Sequence, residues 1–352
     1  MNYRENALRS FRFEKPAWIP IGSGYPSMMW SYYDPLELQE LMQSHPILFP
    51  GYHPGDLREN RVETRPDLIA GQPYIDAWGC IWKTAHTGMV GQVNYHPLAD
   101  WKWLDGFHSP DPEMTDGLLP LDWHKLAEAA ENCKKENWLF GLELPHGHTF
   151  LRLLDLRGYE NAMVDMAEDD PRLRQLIKIL EDFNLELIRR YIRLEPDLFG
   201  IPEDLGMQDR LMISPTYFRK FIKPSYIKMT SPIKQHGILV YEHTDGYIMD
   251  IVDDLVEVGV DVLNLQDLVN GINNIAESVK GRLAIDLDID RQSVTVSGSP
   301  KEIDHHIHEC VARLGSPQGG LSLSYSPWPP TPTENIRAVY DAMEKYCTFY
   351  NP

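Results

Sequence analysis

Along this chain a short apolar run repeatedly ends in a polar stop and gives way to a longer stretch with apolar residues three and four positions apart. Eight such runs can be read: Ala17–Gly22, Pro46–Phe49, Trp138–Glu143, Asp197–Pro202, Gly237–Tyr241, Val260–Leu265, Arg282–Asp288 and Gly320–Tyr325. Runs of this length bounded by turn residues predict buried strands, and most of the stretches between them predict amphipathic helices. Helix starts are marked by their residues. Asp170-Pro171 and Ser214-Pro215 each place a capping side chain before a proline, and Leu173, Leu176, Ile177, Leu180, Leu187, Tyr191 and Leu194 form the buried stripe after the first of them. Ser299-Pro300-Lys301-Glu302 and Thr331-Pro332-Thr333-Glu334 read as capping boxes that place the last two helices.

Strands alternating with helices build a parallel sheet. Eight of them predict an α/β fold: one (β/α)8 TIM barrel spanning residues 1–352 as a single domain, with an N-terminal helical extension over residues 1–16. A further helix is expected over residues 35–44 and a polar one over 122–136. A nucleotide-binding sheet is the weaker alternative, because neither GxGxxG after the first strand nor GxxxxGK[ST] occurs. Residues 50–110 break the alternation. They are rich in Gly, Pro, Trp and His, and YIDAWGCIWKTAHTGMVGQVNYHPLADWKWL has the alternation and turn glycines of an inserted hairpin. Trp78, Trp82, His86 and His96 read as packing residues of that insertion.

Composition narrows the function. Hydrophobic residues make up 43% of the 352, which suffices for a sizeable core, and no apolar run approaches the roughly 20 residues of a membrane span. The formal charge of −19 excludes nucleic acid as an expected partner, since phosphate binding needs a basic face. Cys80, Cys133, Cys310 and Cys347 lie far apart without a CxxC pair, and the charged start MNYRENALRSFRFEKP lacks the form of a signal peptide. Reduced thiols in a cytoplasmic protein are expected.

In parallel α/β folds chemistry collects where strands end. The strand ends here carry Glu143, His146 and His148; Glu203 and Asp204; and His243 with Asp245. Glu203, His243 and Asp245 are the candidates for catalysis, either as a mixed His/carboxylate metal site or as a hydrogen-bonded general acid. Asp204 is read as a loop cap. The loop SGYPSMMWSYYDP offers Tyr25, Met28, Met29 and Trp30 as core filling or as the wall of a pocket for a flat ligand, and Tyr325 and Trp328 stand in the same position at the end of the last strand. His305, His306 and His308 sit among polar residues on a helix and read as solvated.

The segments RENALRSFRFEKPAWIPI, DAWGCIW, HPLADW, EDLGMQ with SPTYFRKFIKP, HTDG followed by GVDVLN, and GGLSLSYSPWPPTPTENI resemble the uroporphyrinogen decarboxylase superfamily over nearly the whole chain. That resemblance implies a TIM barrel and one of two activities, decarboxylation or cobalamin-linked methyl transfer. True decarboxylases of the superfamily carry an arginine-containing RQAGRY-type segment after the first strand, where this chain has Gly24-Tyr25-Pro26-Ser27-Met28-Met29-Trp30 without arginine. Members that methylate thiols carry an HxC zinc motif and a later cysteine. Here the motif reads His243-Thr244-Asp245 and residues 322–328 hold no cysteine.

What the resemblance then implies is the methyltransferase component of an O-demethylase. Such an enzyme moves a methyl group from a methoxylated aromatic compound, a guaiacol-like aryl methyl ether, to the cobalt(I) of a separate corrinoid protein. A cofactor-free decarboxylase acting on a smaller acid is the alternative. No cobalamin-binding DxHxxG segment occurs, so the corrinoid cofactor is expected on a partner protein. Zinc is a candidate metal for His243, Asp245 and Glu203, with Tyr25, Met28, Trp30, Glu143, His146, Tyr325 and Trp328 on the substrate. The partners expected are the corrinoid protein and a small aromatic substrate, with no membrane, and a homodimer is left open.

Overall fold

The computed structural model describes residues 1–53 and 64–351, so the part of the irregular segment at 54–63 lies outside the described residues. Ten strands follow in order: β1 Ile21–Ser23, β2 Tyr74–Ile75, β3 Ile81–Lys83, β4 Gln92–Tyr95, β5 Gly141–Glu143, β6 Leu198–Gly200, β7 Leu239–Thr244, β8 Val262–Gln266, β9 Ala284–Asp288 and β10 Leu321–Tyr325. Seven form the sheet β1-β10-β9-β8-β7-β6-β5, in which β1 with β10, β10 with β9, β5 with β6 and β6 with β7 pair in parallel. With helices between the strands, this is the TIM-barrel-type α/β fold expected from the sequence. The chain resolves into two compact units. One comprises Met1–Ala70, Ala85–Val90 and Asn264–Pro352, the other Gly71–Thr84 and Gly91–Leu263.

In the second unit β5, β6 and β7 pair in register, with Gly141 against Leu198 and Leu198 against Leu239. Their cover includes the helix Pro171–Ile192, opened by Asp170 and Pro171 as expected, with Leu173, Leu176, Leu180 and Leu187 fully buried. Leu194 falls past its end. The helix expected after Ser214-Pro215 is not one regular rod. Pro215–Tyr217 runs into a wider π-turn over Phe218–Ile222 before Lys223–Gln235. Pro224 has no N–H for the carbonyl of Lys220, so the ladder cannot run straight through.

The inserted hairpin is present as the antiparallel sheet β2-β3-β4. Asp76 anchors it. Its carboxylate accepts from the Trp78 and Cys80 amides at 3.0 and 2.9 Å and from Trp82 Nε1 at 2.9 Å. It also pairs with the buried Arg152 at 2.8 Å, joining the hairpin to the helix Phe150–Arg157. Trp78 and His96 pack as expected: Trp78 stacks on Phe107 and meets Phe183 edge-on, and His96 Nδ1 bonds Asp155 O at 2.7 Å, whereas His86 is exposed.

In the first unit β9, β10 and β1 pair in parallel, and the capping box at Ser299 and Glu302 opens the helix Pro300–Leu314. Two expectations are corrected here. Residues 46–49 are a turn, not a strand: Pro46 has no N–H to give a ladder, and the His45 carbonyl takes both the Leu48 and Phe49 amides at 3.1 Å. The helix Thr333–Tyr346 begins one residue later than expected, with Pro332 at the cap and no side-chain cap bond, so Thr331-Pro332-Thr333-Glu334 is not a capping box. All four cysteines are unpaired. Among the described residues no helix is long and apolar enough to cross a membrane.

Removing one member of a buried ion pair strands the other, at a cost of about 3–5 kcal/mol. Asp76→Ala is therefore expected to destabilise the protein by roughly that amount, read as a lowered denaturant midpoint. An unchanged midpoint would show that the hairpin does not depend on this carboxylate.

Candidate active site at the ends of β5, β6 and β7

Beyond the regular strands the chain keeps pairing. Ile201 N bonds Tyr241 O at 2.9 Å, Glu203 N bonds His243 O at 2.9 Å, and Gly206 N bonds Asp245 O at 3.2 Å. This continued ladder lays Glu203-Asp204 alongside His243-Thr244-Asp245. Glycine makes the approach close enough. A Cβ on Gly246, whose φ is +84°, would stand 2.3 Å from the Gly206 carbonyl carbon, and one on Gly206 would stand 2.5 Å from Gly246 C and Tyr247 N.

Two layers result. In the outer one Asp204 is the hub. Its Oδ1 lies 3.2 Å from His146 Nε2 and 3.9 Å from His243 Nε2, and it accepts the Asp245 amide at 3.0 Å. The two imidazoles stand 5.8 Å apart between centroids. Burial lowers the His146 pKa, but the hydrogen bond and charge of Asp204 outweigh it, and the net effect is upward. Burial likewise raises Asp204, and its bond to His146 more than reverses that, leaving it below the usual range. The ligand atoms of His146, Asp204 and His243 all lie within 4.8 Å of one another, a two-imidazole, one-carboxylate set that suits zinc.

The inner layer is fully buried. Glu203 Oε1 accepts the Thr149 and Leu151 amides at 2.9 and 3.0 Å, and Oε2 takes the Tyr226 hydroxyl at 3.0 Å. Burial nonetheless pushes its carboxyl up to about 7, the three hydrogen bonds pulling the other way. Glu242, on β7 with no exposed surface, has neither carboxylate oxygen hydrogen-bonded, since the single Tyr226 proton goes to Glu203. Burial, then the charges of Glu203 and Asp204, raise it well above the usual carboxyl range. His148 is bonded through Nδ1 to Thr149 Oγ1 at 2.7 Å and kept neutral by burial, which lowers its pKa to about 3.

The arrangement offers an imidazole whose protonated form Asp204 favours, a carboxylate and a second imidazole at an accessible surface, backed by buried carboxyls whose pKa values burial raises. Residues 153–346, more than half the chain, match the model of the uroporphyrinogen decarboxylase (URO-D) family. The chain belongs to the uroporphyrinogen decarboxylase family. No curated protein matches it. Among solved structures a methyltransferase from Methanosarcina mazei is similar at 18% identity, with a TM-score of 0.67 and 99% of each chain covered, a likeness of fold. A putative vitamin-B12-independent methionine synthase from Listeria monocytogenes is similar at 15% identity and a TM-score of 0.40 over 59% of this chain and 64% of that one, too distant to carry an argument.

Of the residues this URO-D chain was expected to use, the fold brings His243 and His146 together. Asp245 lies beside them and contributes its backbone N–H to the hub, while the Glu203 carboxylate turns inward to the buried network. Asp204, read as a cap, is instead the acceptor both imidazoles face. Glu143 lies exposed at the end of β5. Tyr25, Met28, Trp30, Tyr325 and Trp328 belong to the other unit. There Tyr25 meets Trp30 edge-on at 5.7 Å, Tyr325 is buried against Tyr340, and the Tyr25 and Tyr325 hydroxyls and Trp328 Nε1 end buried without a hydrogen-bond partner. Glu242, Tyr226 and His148 were missed as a network. Glu242 had a signal, since it shares the alternating face of β7 with the buried Val240 and Thr244.

Two predictions follow from this geometry. The Glu203 pKa is raised from an ordinary 4.5 to about 7, so the folded state keeps a proton that the unfolded chain releases. That contribution is full below pH 4.5 and is lost as pH rises to 7. Glu203→Gln keeps the acceptor for Thr149 and Leu151 and is expected to flatten the fall in denaturant midpoint between about pH 5 and 7, by on the order of 3 kcal/mol. A wild-type slope in the variant would place that proton elsewhere. Gly246→Ala is expected to cost about 1–3 kcal/mol and to weaken the site with it; a variant as stable as the parent, measured by thermal melting, would show that the two loops can part without loss.

Proposed function

We propose that this URO-D family protein is a methyltransferase that removes the methyl group of a methoxylated aromatic compound, a guaiacol-like aryl methyl ether, and delivers it to the cobalt(I) of a separate corrinoid protein. The observation that carries the reading is the convergence of His146, Asp204 and His243 at adjoining strand ends. The Methanosarcina mazei protein sharing this fold over 99% of its length is a methyltransferase by name, which supports the class of reaction.

The corrinoid, bound to its own carrier, supplies the nucleophile that accepts the methyl group. This chain is left with the leaving group. As the O–CH3 bond breaks, its electron pair stays on oxygen, and a phenol with a pKa near ~10 makes a poor leaving anion unless a proton or a Lewis acid meets it. His146 is suited to give that proton, because Asp204 holds it protonated to higher pH than an ordinary histidine. Zinc held by His146, Asp204 and His243 would supply Lewis acidity at the same oxygen. Glu203 fixes the loop that carries Asp204, and Asp245 steadies Asp204 through its amide.

His243→Ala and Asp204→Ala are each expected to slow methylation of a cobalt(I) corrinoid protein by guaiacol roughly 10²–10⁴-fold, followed by the cobalt absorption change, with little effect on binding of the corrinoid protein. Wild-type rates in both variants, with and without chelator, would overturn the assignment. Decarboxylation of a small acid without turnover of the ether would replace it with the decarboxylase reading.

A further inference from the structure

The first unit contains another convergence of donors, built from residues the chemistry above does not use. Asp267 directly follows β8, and His306 and Cys310 lie four apart on one face of the helix Pro300–Leu314. All three are buried, which corrects the reading of His306 as a solvated histidine. Cys310 has no exposed surface and neither has Asp267. His306 Nε2 is 2.6 Å from Asp267 Oδ2 and 3.8 Å from Cys310 Sγ, and the three donor atoms all lie within 4.8 Å of one another.

The arrangement looks at first like a nucleophilic thiol–imidazole–carboxylate relay, and its geometry is not that of one. A relay needs the thiol on one ring nitrogen and the carboxylate on the other. Here both meet the same nitrogen, Nε2. Three donors that face one point share a common partner better than they pass a proton along a line.

We propose that Asp267, His306 and Cys310 form a binding site for a zinc-class transition-metal ion, separate in its residues from His146, Asp204 and His243. Thiolate, imidazole and carboxylate together are a zinc-type donor set, whereas calcium and magnesium take oxygen ligands. Bonds of about 2.0–2.3 Å to a tetrahedral ion place donor pairs about 3.3–3.7 Å apart. The sulfur–nitrogen pair already stands near that spacing. The nitrogen–oxygen pair opens by under ~1 Å as the ion takes the place of the shared proton. Asp267 is oriented for this from behind, its Oδ1 taking the Leu268 amide at 2.6 Å. A way in exists: a groove of about 490 Å³, lined by Ser293, Ser297, Glu302, His305, His306 and Glu309, opens beside the imidazole. The ion would pin the end of β8 to the helix Pro300–Leu314, so that binding free energy becomes folding free energy.

Cobalt(II) is the probe, because a thiolate ligand gives it a near-ultraviolet charge-transfer band that the sulfur-free His146/Asp204/His243 set cannot produce. Wild-type protein titrated with cobalt(II) is expected to develop that band, to lose it to excess zinc, and to melt at a higher temperature with zinc than without. Cys310→Ala, a small apolar replacement in an apolar setting, is expected to keep its far-ultraviolet circular dichroism, lose the band and show a smaller zinc-dependent rise. A His243→Ala/Asp204→Ala double variant is expected to retain them, so failure of the proposed demethylation leaves this test intact. Absence of the band in wild type at saturating cobalt(II), or its persistence in Cys310→Ala, would overturn the site.

Discussion

The candidate active site hangs on how the Glu203 carboxylate is used. A helix leaves its first amides without partners, and the helix Phe150–Arg157 has no side-chain cap of its own. Glu203 supplies one from the end of β6, more than fifty residues away, by taking the Thr149 and Leu151 amides on one oxygen. Its other oxygen takes Tyr226 from the helix Lys223–Gln235. One side chain thus ties the loop after β5, the end of β6 and a covering helix to one another. The next residue, Asp204, inherits a fixed position, and the imidazoles on either side are placed relative to it.

The same arrangement separates the states of neighbouring carboxyls. Asp204, paired with His146, is pulled to the ionised side, whereas Glu203 and Glu242, out of water, are pushed to the protonated side. Adjacent residues in the chain therefore offer an anion and a proton store, a division of labour by environment and not by residue type. A site that must neutralise a leaving oxygen has use for such a pair, because a protonated imidazole held by a carboxylate is regenerated most readily where other protons are near.

Much of this was legible in the chain. Seven of the eight apolar runs are strands, because four or more apolar residues bounded by turns have few other ways to be buried; the eighth failed at Pro46, where a missing N–H and a carbonyl taken by two amides favour a turn. The inserted hairpin was readable from alternation and turn glycines. His243 and His146 were readable as strand-end residues. Asp204 was misjudged because adjacency along the chain does not say which of two neighbouring carboxylates faces out, and that is settled by the Thr149 and Leu151 amides claiming Glu203. His306 was misjudged for a related reason: polar neighbours in sequence suggested solvent, yet position on the helix turns it, with Cys310, toward Asp267.

The pairing of β1 with β10 has a consequence for how the chain comes off the ribosome. Ser23 Oγ bonds Tyr325 O across 302 residues. At about 5–20 residues per second, roughly 15–60 s of translation separate the two strands. Residues 91–263 of the second unit are complete well before β10 exists, while β1 waits with no neighbour on its β10 side. Its three residues Ile21–Ser23 are short for an unpaired edge, and brevity is one of the ways such edges are kept from pairing with other chains.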